Sequence, residues 1–140
     1  MVLGFTLDPF GAVRKAIKSW RPRNCRTEKD YEDSLVARLE KELKNQKIER
    51  QYARGTQRMD IVVHRKVPIE IKKDLKSKAT LNNTIGQLEQ YLQEWDKIFL
   101  IICGEVKRDL LTSLRQYANK QIGGLYPFSQ YERVEIIVRK

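Results

Sequence analysis

The spacing of hydrophobic and polar residues changes along the chain, and these changes predict where helices and strands begin. An aspartate followed by a proline forms an N-cap and first turn, which predicts a helix over residues 8–20. The segment RPRNCR then interrupts the helical pattern. Thr27, with Asp30 three residues later, resembles a capping box and predicts a second helix that reaches about Asn45.

The segments that follow carry either the alternating apolar pattern of strands or the three-to-four-residue spacing of helices. They predict strands at 47–52, 59–63 and 67–72, a helix at 81–95, a strand at 97–103, a helix at 107–120 and a strand at 134–140. The run KIFLIIC is continuously apolar, which is typical of a strand covered on both faces. After the amino-terminal helix the predicted order is therefore helix, three strands, helix, strand, helix and strand. This order indicates an α/β fold with a mixed sheet flanked by helices.

Length and charge narrow the class of protein. The 140 residues match the size of one ordinary domain, so we expect a single domain over 1–140. The 28 Lys and Arg against 18 Asp and Glu give a net charge of +10, which favours polyanionic partners such as nucleic acids. No apolar run has membrane-spanning length and the first residues lack a secretory-signal pattern, so we expect a cytoplasmic protein. Cys25 and Cys103 match no metal-ligand spacing and are interpreted as reduced structural thiols.

The predicted hairpin, within RMDIVVHRKVPIEIKKDLKSK at 58–78, carries charged residues inside apolar strands. Side chains alternate between the faces of a strand, so Glu70 and Lys72 share one face. If the two apolar runs pair through a turn at 64–67, Asp60 comes within cross-strand reach of Glu70. Two carboxylates and one ammonium group would then converge. Taken singly, each has an ordinary interpretation, either as a turn cap or as a charge that protects an edge strand.

A third carboxylate falls on the apolar side of the second predicted helix. At about 100° per residue, Glu32 lies in the same arc as Tyr31, Leu35, Val36 and Leu39. A buried charge without a partner is costly, so Glu32 requires compensation. Two interpretations stay open: a lysine or arginine at the rim neutralises it, or it joins the strand carboxylates in a site for a hard divalent cation.

The order of these residues resembles the PD-(D/E)xK nuclease superfamily, which includes restriction endonucleases, archaeal Holliday junction resolvases and RecB-like nucleases. The resemblance covers roughly residues 27–104. It rests on a helical glutamate, an aspartate on the first hairpin strand and, after nine residues, a Glu-x-Lys run on the second, here Glu32, Asp60, Glu70, Ile71 and Lys72. The proline that often precedes the aspartate is Met59 in this chain.

The resemblance implies a restriction-endonuclease-like core and an Mg²⁺-dependent endonuclease that hydrolyses DNA phosphodiester bonds. Asp60, Glu70 and the main-chain carbonyl of Ile71 would hold Mg²⁺, for which Mn²⁺ can substitute. Lys72 would orient or help to deprotonate the attacking water, and could contact the phosphate. Glu32 would bind a second metal or position the first one through water.

The helix that follows the hairpin, IGQLEQYL, is similar to one that carries a glutamine and a tyrosine in many members of the superfamily. Gln87 would support the water or phosphate network, although a polar position on an amphipathic helix explains it equally well. Tyr91, one turn further on, is assigned to packing. His64 lies in the predicted turn and is expected to be exposed.

Basic residues near the amino terminus and around the hairpin are the predicted contacts to DNA phosphates: Arg14, Lys15, Lys18, Arg21, Arg23, Arg54, Arg58, Lys73, Lys76 and Lys78. The expected partner is double-stranded or branched DNA, and a homodimer would supply two active sites to a duplex. The main alternative is a catalytically inactive nucleic-acid-binding module of the same fold, which has no need of Asp60, Glu70 and Lys72 together. A weaker alternative is an RNA-binding scaffold, for which the chain carries basic residues but no RNA-binding motif.

Overall fold

The structure, a computed structural model, describes residues 8–125 and 128–139. Its elements in chain order are α1 (Pro9–Ser19), α2 (Glu28–Glu42), β1 (Ile48–Arg54), β2 (Gln57–Val63), β3 (Val67–Leu75), α3 (Lys78–Glu94), β4 (Ile98–Val106), α4 (Arg108–Asn119), β5 (Ile122–Gly123), β6 (Tyr131–Glu132) and β7 (Val134–Val138). The predicted order of helices and main strands is confirmed. The short β5–β6 ladder was not predicted, α2 ends before Asn45, and Lys140, the predicted end of the last strand, lies outside the described residues.

The first two helices begin where their capping residues predict. The Asp8 side chain accepts a hydrogen bond from the Gly11 N–H at 3.0 Å, and a proline occupies the first turn of α1. Thr27 and Asp30 form a complete capping box at the start of α2, in which each side chain accepts from the other residue's N–H. These bonds satisfy backbone donors that the first turn of a helix leaves without partners.

The mixed sheet has the strand order β1-β2-β3-β4-β7. The first three strands are antiparallel, whereas β4 runs parallel to β3 and β7 runs parallel to β4. Parallel neighbours require a crossover, which α3 and α4 supply. Within the predicted run KIFLIIC, every residue from Ile98 to Cys103 lies in β4 at 0% exposure, whereas Lys97 precedes the strand. The α/β fold class, with a mixed sheet flanked by helices, is therefore confirmed.

Each face of the sheet carries its own hydrophobic core. Helices α1 and α2 cover one face, where they pack on odd-numbered residues of β3 and β4 such as Ile69, Ile71 and Phe99. Helices α3 and α4 cover the other face, where they pack on even-numbered residues of β4 such as Leu100 and Ile102. Alternation along the central strands thus sends Glu70 and Lys72 to the α3 side and their apolar neighbours to the α2 side.

The hairpin turn and the cysteines match their predictions. His64 and Arg65 adopt left-handed φ values of +55° and +54° at the centre of a turn closed by the Lys66 N–H, which donates to the Val63 carbonyl at 3.0 Å. Three residues, 64–66, separate the paired Val63 and Val67, and His64 is exposed. Cys25 and Cys103 are both free thiols, and burial raises the pKa of Cys103 to about 12. No helix in the described part of the chain combines the length and the apolar character needed to cross a bilayer.

Candidate functional site

The candidate site lies where β2 and β3 separate from each other. Their hydrogen-bonded register ends with Ile61 opposite Ile69, so the next facing positions are Asp60 and Glu70. Here the carboxylates take over the backbone donors, because the Ile71 N–H donates to Asp60 Oδ2 at 2.9 Å and the Asp60 N–H donates to Glu70 Oε1 at 3.3 Å. The predicted cross-strand approach of Asp60 and Glu70 is confirmed.

The two carboxylates share an environment that disfavours two negative charges. Glu70 is 5% exposed, and burial, followed by the neighbouring Asp60, raises the pKa of Glu70 to about 8. Burial also raises the pKa of Asp60. Among the described residues, the one ion pair that Glu70 forms is with Lys72, whose Nζ lies 3.9 Å from Glu70 Oε2. Two facing carboxylates in a buried site repel each other, so Asp60 and Glu70 favour binding a cation or a proton between them.

Helix α3 reaches the site through Tyr91, which the sequence analysis assigned to packing. The side chain is buried as predicted, but its hydroxyl also donates a hydrogen bond of 2.9 Å to Glu70 Oε2. The packing role is therefore confirmed, and the hydrogen bond to Glu70 is a further contact that the sequence did not predict. Burial and the adjacent Glu70 raise the pKa of the Tyr91 phenol, so this hydroxyl keeps its proton and acts as a fixed donor to the carboxylate.

Glu32 is buried at the edge of the same site, and its compensation is an arginine. Its side chain accepts from Arg50 Nε at 2.8 Å, and Arg50 also pairs with the exposed Asp33. The predicted rim cation is thus Arg50, from β1. Glu32 is also linked to the strand carboxylates, because Gln51 Nε2 donates to Glu32 at 3.0 Å and lies 3.4 Å from Asp60 Oδ1.

Gln51 is a site residue that sequence reasoning missed. It lies in the middle of β1, between the register pairs Arg50–Ile61 and Tyr52–Met59, and so faces Asp60. Its φ is +49°, a left-handed conformation that is rare for a side-chain-bearing residue within a strand. Such strain persists where the surrounding structure imposes it, and it clusters at functional sites. The predicted strand at 47–52 carries several polar residues, so its pattern did not single out Gln51.

Part of the site lines an open cleft of about 520 Å³ beside the amino-terminal end of α2, and Glu70 and Lys72 are not among its lining residues. Its walls include Glu28, Glu32, Arg50, Gln51 and Asp60. Glu28, which the sequence analysis also missed, accepts a hydrogen bond of 3.0 Å from the Lys73 N–H and so ties the first turn of α2 to β3. The cleft gives a ligand access to Asp60 from solvent.

Gln87 is not joined to the carboxylates by any contact among the described residues. It lies on α3 one turn before Tyr91 and is half-buried, and its side-chain oxygen is buried without a hydrogen-bond partner in the described part of the chain. Its predicted role in a water or phosphate network stays a prediction.

The predicted DNA-contacting cations divide by burial into two groups. Three are half-buried and engaged within the protein: Arg14 pairs with Glu135 at 2.6 Å, Arg54 stacks on the Trp95 ring at 3.6 Å, and Lys73 pairs with Asp74 at 2.7 Å. The others are exposed, namely Lys15, Lys18, Arg21, Arg23, Arg58, Lys76 and Lys78. Of these, Arg21 donates to two backbone carbonyls and Lys76 lies 4.0 Å from Glu105. These exposed side chains are the ones placed to meet an external polyanion.

The donor set is suited to a hard cation with few protein ligands. Over residues 8–125 and 128–139 there is no group of three or more His, Cys, Asp or Glu side chains that could hold a metal ion. The predicted set needs only two carboxylates and one backbone carbonyl, because Mg²⁺ usually keeps several waters. Asp60 and Glu70 supply facing oxygen atoms, and burial raises both pKa values because it disfavours the ionised form, which a bound cation would stabilise.

The site thus combines two facing carboxylates, an ammonium group at their edge and a solvent-open cleft. Comparison with protein-family models, with curated proteins and with solved structures finds no match to this chain. The function of the site therefore has to be inferred from the chemistry of its own residues.

Proposed function

We propose that the chain is a metal-dependent DNA endonuclease that hydrolyses phosphodiester bonds through a PD-(D/E)xK site on a restriction-endonuclease-like core. One observation carries the proposal: Asp60 and Glu70 face each other where β2 and β3 separate, with Lys72 on the same face of β3 as Glu70. Carboxylates that only stabilise the fold are normally held by a cation at hydrogen-bond distance. Here the nearest described ammonium lies 3.9 Å away.

The metal ligands in this proposal are Asp60, Glu70 and the main-chain carbonyl of Ile71. When bound, Mg²⁺ or Mn²⁺ makes a coordinated water more acidic and neutralises charge that develops on the phosphate. The protein holds its ligands in place beforehand, since the Ile71 N–H fixes Asp60 and the Tyr91 hydroxyl fixes Glu70. Such supporting bonds reduce the reorganisation that metal binding requires.

Lys72 is the proposed acid–base and phosphate-contacting group. Its ammonium is half-buried at the edge of the carboxylate pair, so it can donate to the attacking water or to a phosphate oxygen. Glu32 and Gln51 act as positioning residues, because the Gln51 amide joins the Glu32 carboxylate to that of Asp60. Gln87, one turn before Tyr91, is proposed to meet the water or phosphate network only when DNA is bound.

The substrate in this proposal is double-stranded or branched DNA. The chain carries a net charge of +10, and exposed cations lie on α1, in the connection after it, on β2 and in the segment that leads from β3 into α3. Such a surface binds polyphosphate chains through release of their counterions. A cytoplasmic homodimer, in which two sites serve the two strands, is the assembly that we propose for duplex cleavage.

A plasmid-nicking assay with Mg²⁺ and with EDTA tests the function directly. We expect supercoiled DNA to be nicked with Mg²⁺, and nicking to disappear in EDTA and in the Asp60→Asn variant. Linear, nicked and branched DNAs in the same assay would identify the preferred substrate. A wild-type protein that binds these DNAs but cuts none of them, at any Mg²⁺ or Mn²⁺ concentration, would refute the nuclease and favour the inactive binding module.

A further inference from the structure

A second pocket lies on the flank of α2 that faces α1, away from the carboxylate cleft. It has a volume of about 350 Å³ and is formed by the end of α1, the connection that follows it and the middle of α2. Its charged lining residues are all cations, namely Arg21, Arg23, Arg38 and Lys41. Lys41 follows Glu32 by nine residues, which at 3.6 residues per turn places it about half a turn around the helix from the cleft.

Several hydrogen-bond donors in this pocket have no acceptor within the described structure. Neither Arg23 nor Lys41 forms an ion pair or a side-chain hydrogen bond with any residue in 8–125 or 128–139. Arg38 contacts Ser19 and Glu42 through its terminal nitrogen, but its Nε is buried and has no partner in this part of the chain. Arg23 and Lys41 are exposed and are open to an external anion, whereas the buried Arg38 Nε is a donor of the kind that normally finds an acceptor.

The charge around the pocket is also poorly balanced. Against its four cations, the one carboxylate described as pairing with them is Glu42, which pairs with Arg38 at 2.9 Å. A fifth cation adjoins them, because Arg139 donates to the Trp20 carbonyl and its pKa is lowered by burial and by the nearby Arg21. Like charges held this close repel one another, and an anion bound between them would relieve the repulsion.

We propose that this pocket binds a phosphate group of a nucleic acid at a point outside the catalytic cleft. The choice of a nucleic acid rests on the proposed function, whereas the choice of phosphate rests on the pocket itself. A phosphodiester presents only acceptor oxygens, and arginine side chains match it through paired N–H donors. Because a helix with its side chains is about 10–12 Å across, the phosphate held here is not the one that is cut. It belongs to a flanking nucleotide or to a second strand.

The test compares two double variants that each remove two positive charges. The pocket variant combines Arg23→Gln with Lys41→Gln, the two lining cations whose side chains have no partner in the described structure. These substitutions therefore break no described ion pair or side-chain hydrogen bond. Lys107→Gln with Arg108→Gln removes two exposed cations at the start of α4 and serves as the control. DNA affinity is measured in EDTA by fluorescence anisotropy at several salt concentrations, so that no cleavage occurs.

We expect the pocket variant to bind DNA about eightfold more weakly at 0.1 M salt for each phosphate that it no longer holds. Its plot of log affinity against log salt should be shallower by about 0.9 per phosphate, while the control keeps the wild-type slope. In a second arm, inorganic phosphate is titrated into wild-type protein and the indole N–H resonance of Trp20, which donates to Ser34 in this pocket, is followed by NMR. This resonance should shift in the wild type and not in the pocket variant.

Equal reductions of DNA affinity and slope in both double variants would overturn the proposal, since net charge alone would then explain binding. The proposal would also be overturned if phosphate shifted the Trp20 resonance while the pocket variant bound DNA with wild-type affinity. A third contrary result would be a pocket that binds polyglutamate as tightly as it binds DNA. These outcomes are separate from the nuclease proposal. If the protein cut no DNA, the measured loss of DNA affinity in the pocket variant would still support the pocket. If the protein cut DNA normally but the pocket variant kept its affinity, the pocket proposal would still fail.

Discussion

Two glutamates occupy nearly the same sequence pattern in the sheet, yet the fold treats them in opposite ways. Glu70 lies in the run PIEI of β3 and Glu135 in the run VEII of β7. Glu135 accepts two hydrogen bonds from the Arg14 guanidinium, at 2.6 and 2.8 Å, and Lys97 lies 3.5 Å away. Glu70 faces Asp60, and its ion pair is the 3.9 Å approach of Lys72.

The pKa values of the two carboxyls record this difference. Burial acts to raise the pKa of both groups, but Arg14 and Lys97 outweigh it at Glu135 and lower its pKa. At Glu70 burial and Asp60 act together and raise the pKa to about 8. Burial of a carboxylate is therefore not by itself the mark of a functional site. The mark is burial that the rest of the protein leaves uncompensated, which is why the proposal is centred on Glu70 and not on Glu135.

Cleavage activity should separate the two glutamates most strongly. Glu70→Gln removes a proposed metal ligand, and we expect the rate of plasmid nicking to fall by more than about a hundredfold, since even loss of a supporting residue at a metal site costs about 10–100-fold. Glu135→Gln should retain the wild-type rate when assayed well below its melting temperature. Comparable rates in the two variants would remove the distinction between the sites.

Folding stability should separate them in the reverse order. Glu135→Gln leaves the partly buried Arg14 without its carboxylate and should cost about 1–3 kcal/mol, less than the 3–5 kcal/mol of a fully buried pair, because both side chains retain some exposure. Glu70→Gln in the absence of metal should leave stability unchanged below pH 8, where Glu70 is protonated, and raise it above pH 8, where repulsion with Asp60 is removed. Urea unfolding in EDTA measures both, and a strongly destabilised Glu70→Gln would point to a structural role.

The pH dependence of stability should carry opposite signs at the two glutamates. The folded-state pKa of Glu70, about 8, lies above the ordinary value of 4.5, so the folded protein binds the extra proton between these values. Stability without metal should fall as pH rises through that window, at no more than about 1.4 kcal/mol per pH unit for one group. The lowered pKa of Glu135 contributes stability that is present above pH 4.5 and is lost on acidification.

Melting temperatures between pH 4.5 and 8.5, with EDTA and with Mg²⁺, check this prediction. Glu70→Gln should flatten the decline in EDTA, and Mg²⁺ should stabilise the wild type more at pH 8 than at pH 6, since binding displaces the proton. A wild-type curve that rises steadily to pH 8 in EDTA would show that Glu70 ionises normally.

Tyr91→Phe should have a smaller effect, through Glu70. The Tyr91 hydrogen bond lowers the pKa of Glu70, so its removal should move the acidic limb of the pH–rate profile to higher pH and slow cleavage about tenfold. The matched control is Tyr117→Phe, because the Tyr117 hydroxyl is buried with no described partner. Identical profiles for the two variants would return Tyr91 to a packing role.

The smallest effect on stability is expected at Gln51. Gln51→Gly removes the cost of a left-handed backbone and should change stability by less than about 1 kcal/mol, while the absence of the link between Glu32 and Asp60 lowers the cleavage rate. His64→Gly, at a similar φ in the hairpin turn, is the control and should leave the rate unchanged. Equal activity of the two glycine variants would make the Gln51 conformation incidental.

Local periodicity was sufficient to predict the order of the elements and half of the site. Caps and apolar spacing placed α1 to α4 and the main strands because these signals depend on neighbours a few residues apart. The facing of Asp60 and Glu70 followed from the tight hairpin, since a two-strand register leaves little freedom once the turn is known. Residues that depend on a third element were missed or misread, among them Gln51, Glu28 and the Tyr91 hydroxyl.

Compensation of charge was decided by contacts between distant parts of the chain. Arg14 meets Glu135 across 121 residues, whereas Tyr91, a donor without charge, meets Glu70 across 21. Nothing in PIEI or VEII distinguishes these outcomes, because each run specifies only a strand and the face on which its glutamate lies. Packing of α1 over the sheet brought a guanidinium to β7, and packing of α3 brought only a phenol to β3. The sequence therefore determines that both glutamates enter the sheet, and the tertiary structure determines which of them has a cation at hydrogen-bond distance.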